Sequence, residues 1–405
     1  MDIQNRTSND APPASVSIDR ETANTAGTHD FEFGEHGDGL VIFSEAGPGF
    51  IGPSILQRDG RHFFIGVHES SSTSLMQADF SAEGFYYNYF TSPLPGSSRA
   101  LLNTVLDNED KFVVLGNFRS DEQAFCTRLT ATGETDPTFG EQGEFILPYK
   151  APWTGYGRRL AVQADGHIVL LLRTADLGKP DRGVIVRLTP AGSFDPGFGT
   201  CGVVTAPEPG MTFEAVRIQA DGKLVIAGRR GRRAVLMRYG ITGLPDKTFG
   251  CTGYLELESA TEGSAALFDV AIQADQKIVA VGSADLAQQV ALLIRVTAEG
   301  TLDPLFNSGT PWAFPGLGLG FATAIQEDGK IVSSGHKDLG GHTWLMRHLA
   351  TGEPDRGFGD RGLSRVNSIP GSTSYLSHLE LQPDGKILIS GRYATHSAVI
   401  RCHGG

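Results

Sequence analysis

RIQADGKLVIAG, residues 217–228, is a short apolar run, an Asp-Gly turn and a β-branched run. That is the pattern of a tight β-hairpin. The phrase returns as ILQRDGRHFFIG (55–66), VLDNEDKFVVLG (105–116), AVQADGHIVLLL (161–172), AIQADQKIVAVG (271–282), AIQEDGKIVSSG (324–335) and ELQPDGKILISG (380–391). Its turns fall at Asp59, Glu109, Asp165, Asp221, Asp275, Asp328 and Asp384, spaced by 50, 56, 56, 54, 53 and 56 residues. A repeat of this period decides the fold before any single element does.

A second phrase alternates with the first: RLTATGETDPTFGEQG (128–143), RLTPAGSFDPGFGTCG (187–202), RYGITGLPDKTFGCTG (238–253), RVTAEGTLDPLFNSGT (295–310) and RHLATGEPDRGFGDRG (347–362). An apolar strand ends at an Arg, crosses a Gly/Asp/Pro-rich loop and meets an FG turn before another short strand. Each repeat therefore holds four antiparallel strands. One such sheet cannot bury both faces alone, so the units must stack radially. The expected fold is all-β, a seven-bladed β-propeller of four-stranded antiparallel blades over residues 30–405. Residues 1–29, rich in Ser, Thr, Asn, Asp and Ala, lack periodicity and read as a disordered tail.

Two expectations follow from the second phrase. Arg128, Arg187, Arg238, Arg295 and Arg347 each precede an Asp by eight residues (Asp136, Asp195, Asp246, Asp303, Asp355), so an ion pair should cross each loop. The last repeat reaches only AVIRCHGG (398–405), and DFEFGEHGDGLVIF (30–43) carries the continuation. The N-terminal strand should then join the last blade and close the ring, with Asp30 taking Arg401.

Both phrases, in fixed order over roughly residues 30–403, resemble the delta-60 repeat of bacterial proteins. A weaker similarity is to NHL-type propellers. The delta-60 resemblance implies a propeller and brings no established activity or catalytic residue with it.

Composition narrows the partners. Basic residues number 34 and acidic ones 46, a net charge of −12, which disfavours nucleic acid and anionic membranes. No apolar run approaches the ~18 residues of a membrane-crossing helix, so no membrane insertion is expected. The first residues lack a basic stretch followed by an apolar core, which reads as cytoplasmic or as signal-independent secretion. The chain is expected to be a monomer. Cys126, Cys201, Cys251 and Cys402 show no metal-ligand spacing and read as buried free thiols.

No nucleophile elbow, zinc-protease helix or phosphate loop occurs in the sequence. The turns repeat too closely to be a site, as do Gln57, Gln163, Gln219, Gln273, Gln326 and Gln382, so they read as structural. Function is expected where repetition fails, on the long unalike loops. Trp153, Tyr156, Arg158, Arg159, Arg229 and Arg232 there suggest a face for a protein or a small anionic ligand, with Arg230, Arg233 and Trp312 beside them. On this reading the protein binds without catalysis and needs no cofactor. The alternative uses Asn103, Asp107, Asp269, His378 and Glu380, which share inward parity near the channel mouth. They would hold Ca²⁺ or another divalent ion, making a metal-dependent hydrolase or lyase like the NHL-like propeller enzymes.

Overall fold

A computed structural model of the 405-residue chain describes residues 25–34, 38–43, 49–56, 62–68, 73–81, 84–91, 99–151, 157–174, 182–250, 252–258, 263–337, 342–366, 375–393 and 396–405. Among the described residues there is no α-helix, only a 3-10 turn at Asn307–Gly309. Among these residues no helix is long and apolar enough to cross a membrane.

The strands form antiparallel groups of four. One is β2 (Gly49–Leu56), β3 (His62–His68), β4 (Thr73–Ser81) and β5 (Gly84–Thr91). Further groups are β14 (Met211–Ile218), β15 (Leu224–Arg230), β16 (Arg233–Tyr239) and β17 (Tyr254–Leu257), then β18 (Ala266–Ile272), β19 (Ile278–Asp285), β20 (Val290–Val296) and β21 (Trp312–Pro315). Next come β22 (Leu319–Ile325), β23 (Ile331–His336), β24 (Thr343–His348) and β25 (Leu363–Val366). An eight-stranded sheet combines β6 (Arg99–Leu106), β7 (Phe112–Phe118), β8 (Gln123–Leu129) and β9 (Glu144–Lys150) with β10 (Leu160–Val162), β11 (Ile168–Arg173), β12 (Gly183–Leu188) and β13 (Val203–Thr205). Its halves meet at the pair Lys150–Arg173. The remaining sheet takes β26 (Tyr375–Leu381), β27 (Ile387–Tyr393) and β28 (His396–Cys402) from the C-terminal end and β1 (Leu40–Ile42) from the N-terminal end. There Leu40 lies opposite Ile400 and Ile42 opposite Ala398. The first strands of the groups pack in order, β2 on β6, β6 on β10, β10 on β14, β14 on β18, β18 on β22, β22 on β26, and β26 on β2. This is the architecture of a β-propeller.

Apolar faces meet between successive sheets. Val225, Ala227 and Leu236 of one sheet pack with Leu267, Ala280 and Ile294 of the next. Polar clasps reinforce these contacts. The expected ion pairs form at Arg128–Asp136 (2.8 Å), Arg187–Asp195 (2.6 Å), Arg238–Asp246 (2.8 Å), Arg295–Asp303 (2.8 Å), Arg347–Asp355 (2.8 Å) and Arg401–Asp30 (2.7 Å). Each guanidinium also lies over the ring of the FG phenylalanine, 4.4 to 5.1 Å from its centroid. Its other arm reaches the corresponding loop of the next repeat, as Arg128 Nη1 donates to Pro190 O (2.7 Å), Arg187 Nη1 to Ile241 O (2.6 Å) and Arg238 Nη1 to Ala298 O (2.5 Å). Nearly buried charges persist only when such partners satisfy them.

Gln163, Gln219 and Gln326 belong to the same clasps, each accepting from its sheet's arginine, while Gln57 lies outside the described residues. Gln163 accepts from Arg187 Nη1 at 3.4 Å and donates to Gly222 O of the next sheet at 3.2 Å. At the chain ends the pattern is rebuilt from two pieces. Gly27 N donates to His403 O (2.7 Å), as Gly192 N does to Thr189 O (2.9 Å) within an unbroken loop. Ala26 O accepts from Gly359 N (2.9 Å), as Ala191 O does from Gly140 N (2.8 Å). Residues 25–29, assigned to the tail on the sequence reading, are thus part of this loop. Among the thiols Cys126 and Cys402 are buried, but Cys201 is exposed on the tip of an FG turn, and Cys251 lies outside the described residues.

Candidate functional site

The first strand of each group is a sheet edge, with main-chain groups unpaired on its inner side. A β-bulge interrupts these strands at a common place, between Leu101 and Asn103, Phe213 and Ala215, Leu267 and Asp269, Gly320 and Ala322, and Leu376 and His378. Bulges re-aim side chains, and here acceptors beside them cap the next strand. Asn103 Oδ1 accepts from Arg159 N (2.7 Å), Arg158 O from Val216 N (2.9 Å) and Asp269 Oδ2 from Thr323 N (3.0 Å). The Glu380 carboxylate likewise accepts from Leu56 N.

The candidate metal ligands already have protein partners. Asn103 and Asp269 are engaged by main-chain N–H groups, and Asp269 Oδ1 also takes Arg217 Nη2 at 3.1 Å. Asp107 lies past the end of its strand, where it accepts from Glu109 N (2.8 Å) and Lys111 N (3.0 Å) in a turn. His378 and Glu380 both lie beside Arg158. Among the described residues no group of three or more His, Cys, Asp or Glu is placed to hold an ion.

What does converge is charge. Gly157, at φ +78°, lies so close to the inner strands that a Cβ would stand 2.1 Å from Glu214 O and 3.0 Å from Phe268 O. Only glycine allows that approach. The next residue, Arg158, stretches to a distant sheet and donates from Nη2 to Leu379 O at 2.6 Å. Around it stand Arg217, His378 and Glu380, each of which feels its charge. Burial pushes the Glu380 carboxyl up to about 7 against the opposing pull of Arg158 and the Leu56 N–H. Glu380 Oε2 is buried with no hydrogen-bond partner among the described residues. Burial, with Arg158 adding to it, drives His378 down to about 3, so its imidazole is neutral. Burial lowers Arg217 to about 10, Asp269 opposing and Arg158 assisting, and it stays cationic. Its side chain nevertheless keeps 22% exposure, as expected where solvent enters along the axis.

The other expected site residues divide. Arg159 is buried against Glu214, which also takes Arg173 Nη2 at 3.3 Å. Burial works to raise the Glu214 carboxyl, but both arginines outweigh it and hold it below the usual range. Arg229 and Arg232 belong to the β15–β16 hairpin. Arg232 Nε donates to Gly263 O (3.2 Å), while Arg230 and Arg233 are neutralised by Glu208, Glu256 and Glu258. The four arginines among these residues thus stand in different surroundings: Arg158 reaches Leu379 O, Arg159 is buried against Glu214, and Arg229 and Arg232 lie on a hairpin whose Arg230 and Arg233 meet carboxylates. Trp153 and Tyr156 lie outside the described residues. Trp312 donates to Gly352 O (2.9 Å) and stacks on Phe314, binding two sheets together.

Arg217 and Glu214 escaped the sequence reading. A signal for Arg217 was present: two residues before the repeated Gln or Asp stand Ile55, Val105, Ala161, Arg217, Ala271, Ala324 and Glu380. Charge breaks the symmetry there at Arg217 and Glu380.

The sequence matches, over residues 163–198 and 273–306, a family described as a domain of unknown function (DUF5122) β-propeller. No curated protein matches it. Among solved structures, a streptogramin B lyase is similar at 14% identity and TM-score 0.59, over 90% of this chain and 97% of that one. A catalytically inactive histidine-to-alanine variant of virginiamycin B lyase from Staphylococcus aureus, with quinupristin, is similar at 12% identity and TM-score 0.57, over 90% of this chain and 98% of that one. A protein from Lactobacillus plantarum is similar at 11% identity and TM-score 0.50, over 79% and 86%. At such identities the likeness is one of fold, and that fold is a β-propeller.

Proposed function

We propose that this chain is a seven-bladed propeller of delta-60-type repeats that binds a small oxyanion, a carboxylate, sulfate or phosphate, at its axis. Three observations support the blade count and ring. The repeat phrase occurs seven times, the halves of the eight-stranded sheet share one register pair, and the packing of first strands returns from β26 to β2. β1 then fastens the last blade.

The observation that carries the binding reading is the meeting of Arg158 and Arg217 on the axis. Arg217 has Asp269 as its carboxylate, while Arg158 has a carbonyl and a Glu380 that is half-protonated near neutrality. Two half-buried guanidiniums repel, and an oxyanion between them relieves the repulsion while gaining charge-assisted hydrogen bonds. In a chain of net charge −12 such a local positive excess selects for anions. Calorimetric titration with sodium sulfate and sodium acetate tests this. Binding should occur in the wild type and disappear in Arg217→Met with the circular dichroism unchanged. Absence of binding by either anion in the wild type would remove the reading.

A second reading has one observation in its favour. A carboxyl raised to about 7 beside two guanidiniums is also suited to general acid–base catalysis on a bound anion. Turnover lost in Glu380→Gln with anion affinity retained would favour it.

A further inference from the structure

We propose that Glu380 is the axial site's own competitor: its carboxylate and a bound oxyanion share Arg158, so the site takes up an anion together with a proton. This rests on the anion-binding reading and adds the regulation of that site.

The geometry sets up the competition. Arg158 is anchored at its carbonyl by Val216 N, and its guanidinium ends on Leu379 O, the residue adjacent to Glu380. Glu380 holds Leu56 N with its carboxylate, yet Oε2 is buried without a hydrogen bond among the described residues. Among the described residues an ionised Glu380 has one counter-charge, Arg158, and it is the guanidinium an incoming anion needs. Two anions on one guanidinium in a desolvated place repel each other. Protonating Glu380 removes the internal anion and frees Arg158.

The neighbours leave this group as the one that changes near neutrality. On β26 the flanking His378 is already neutral, driven to about 3. Arg217 from β14 stays charged, at about 10, and Asp269 from β18 is locked to Arg217 and to Thr323 N. Arg158 is a guanidinium and does not titrate in this range. From β2 the facing group is the Leu56 N–H, which carries no charge.

The sign follows. Below the Glu380 midpoint the anion meets an uncontested Arg158. Above it, each pH unit should weaken binding by up to about tenfold, the limit for one linked proton. The test is calorimetric titration of the full chain with sulfate, whose own charge is constant from about pH 5.5 to about pH 8.5, in buffers of different ionisation enthalpy. The expected result is affinity falling about tenfold or more across that range, with uptake approaching one proton per sulfate on its alkaline side. Glu380→Gln should bind with no pH dependence, at least as tightly as the wild type at low pH. Sulfate bound with a flat pH profile and no proton uptake would overturn the inference while leaving the anion site standing. So would a slope that persists in Glu380→Gln. If no anion binds at any pH, the anion-site reading fails first and this inference with it. Proton uptake is measured on the wild type, so the outcome does not depend on the variant folding.

Discussion

Arg401 Nε lies 2.7 Å from Asp30 Oδ2, although 371 residues separate them in the chain. The pair reproduces, between chain ends, the clasp that each repeat makes within eight residues. Asp30 is fully buried and also meets Lys386 Nζ at 3.0 Å. Burial works to raise its carboxyl, but Lys386 and Arg401 outweigh it and keep it below the usual range. Asp30→Asn should therefore leave Arg401 without its carboxylate, while Lys386 keeps Asp384 at 3.7 Å, and lower stability by about 3–5 kcal/mol, the usual result of breaking a buried pair. Denaturant unfolding measures this, and a loss below about 1 kcal/mol would show that the chain-end pair is idle.

Gly157→Ala should be costly out of proportion to one methyl group. The residue would keep φ near +78° and bring its Cβ within 2.1 Å of Glu214 O. The left-handed conformation alone costs roughly 1–2 kcal/mol for an ordinary residue, and the clash forces backbone movement at the axis. A melting temperature and sulfate affinity both unchanged in Gly157→Ala would show that this crossing does not hold Arg158 in place.

His348 makes a prediction about acid. It is fully buried among Phe306, Trp312 and Phe314, with ring centroids at 6.4, 6.0 and 5.9 Å. Neither ring nitrogen has a hydrogen-bond partner among the described residues, and burial drives the imidazole down to about 4. Its folded value lies below the ordinary imidazole value of 6.5, so the unfolded chain binds the extra proton between the two. The stability tied to a neutral His348 is complete above about pH 6.5 and falls toward pH 4, by up to about 1.4 kcal/mol per pH unit. Corresponding strand ends carry Leu129 and Leu188. His348→Leu should then stabilise the protein at neutral pH by about 1–3 kcal/mol, the cost of an unsatisfied buried polar group. It should also flatten the acid limb of the pH–stability profile. An unaltered acid limb would place the sensitivity elsewhere.

The clasps were legible in the sequence because they are local and repeated: Arg, then Asp eight residues later, then the FG phenylalanine. The axis was not, because it is assembled from positions that occur once. Parity placed Asn103, Asp269, His378 and Glu380 toward the interior, but it could not reveal that a bulge before Asn103 and Asp269 turns their acceptors onto neighbouring N–H groups. Nor does pattern show which sheet a long side chain will reach. Arg158 was grouped with Arg229 by density of charge, whereas its partner is a carbonyl 221 residues away. Ala26 and Gly27 were legible in principle, since AGTHD at 26–30 matches AGSFD at 191–195, but only once the loop was known to be split.

Replacing Arg229 and Arg232 together with Ser separates the hairpin from the axis. Arg229 is half-buried and Arg232 exposed, and Arg232 Nε donates to Gly263 O at 3.2 Å. Exposed charges of this kind contribute about 0–1 kcal/mol. The double variant should therefore melt close to the wild type and bind sulfate with unchanged affinity. Loss of sulfate binding would return the anion site to the outer loops.

Truncation from the N-terminus tests how the last sheet is held. Deleting residues 1–24 removes none of the contacts described for the chain ends. Deleting residues 1–43 removes the Ala26 and Gly27 hydrogen bonds, the Asp30–Arg401 pair, the buried Phe33 beneath that guanidinium, and all of β1. It leaves Arg401 uncompensated and exposes an edge of β28, which invites pairing with other chains. A blade deprived of its outer strand loses several kcal/mol, on the order of half a typical domain's stability. Because each sheet is buried by its neighbours, the loss should propagate to the adjoining sheets and not stay local. The shorter deletion should melt within a degree or two of the full chain. The longer should unfold well below it or aggregate on purification. Equal melting of the two truncated forms would mean that the last sheet is held by its neighbours alone and that β1 contributes nothing to the ring.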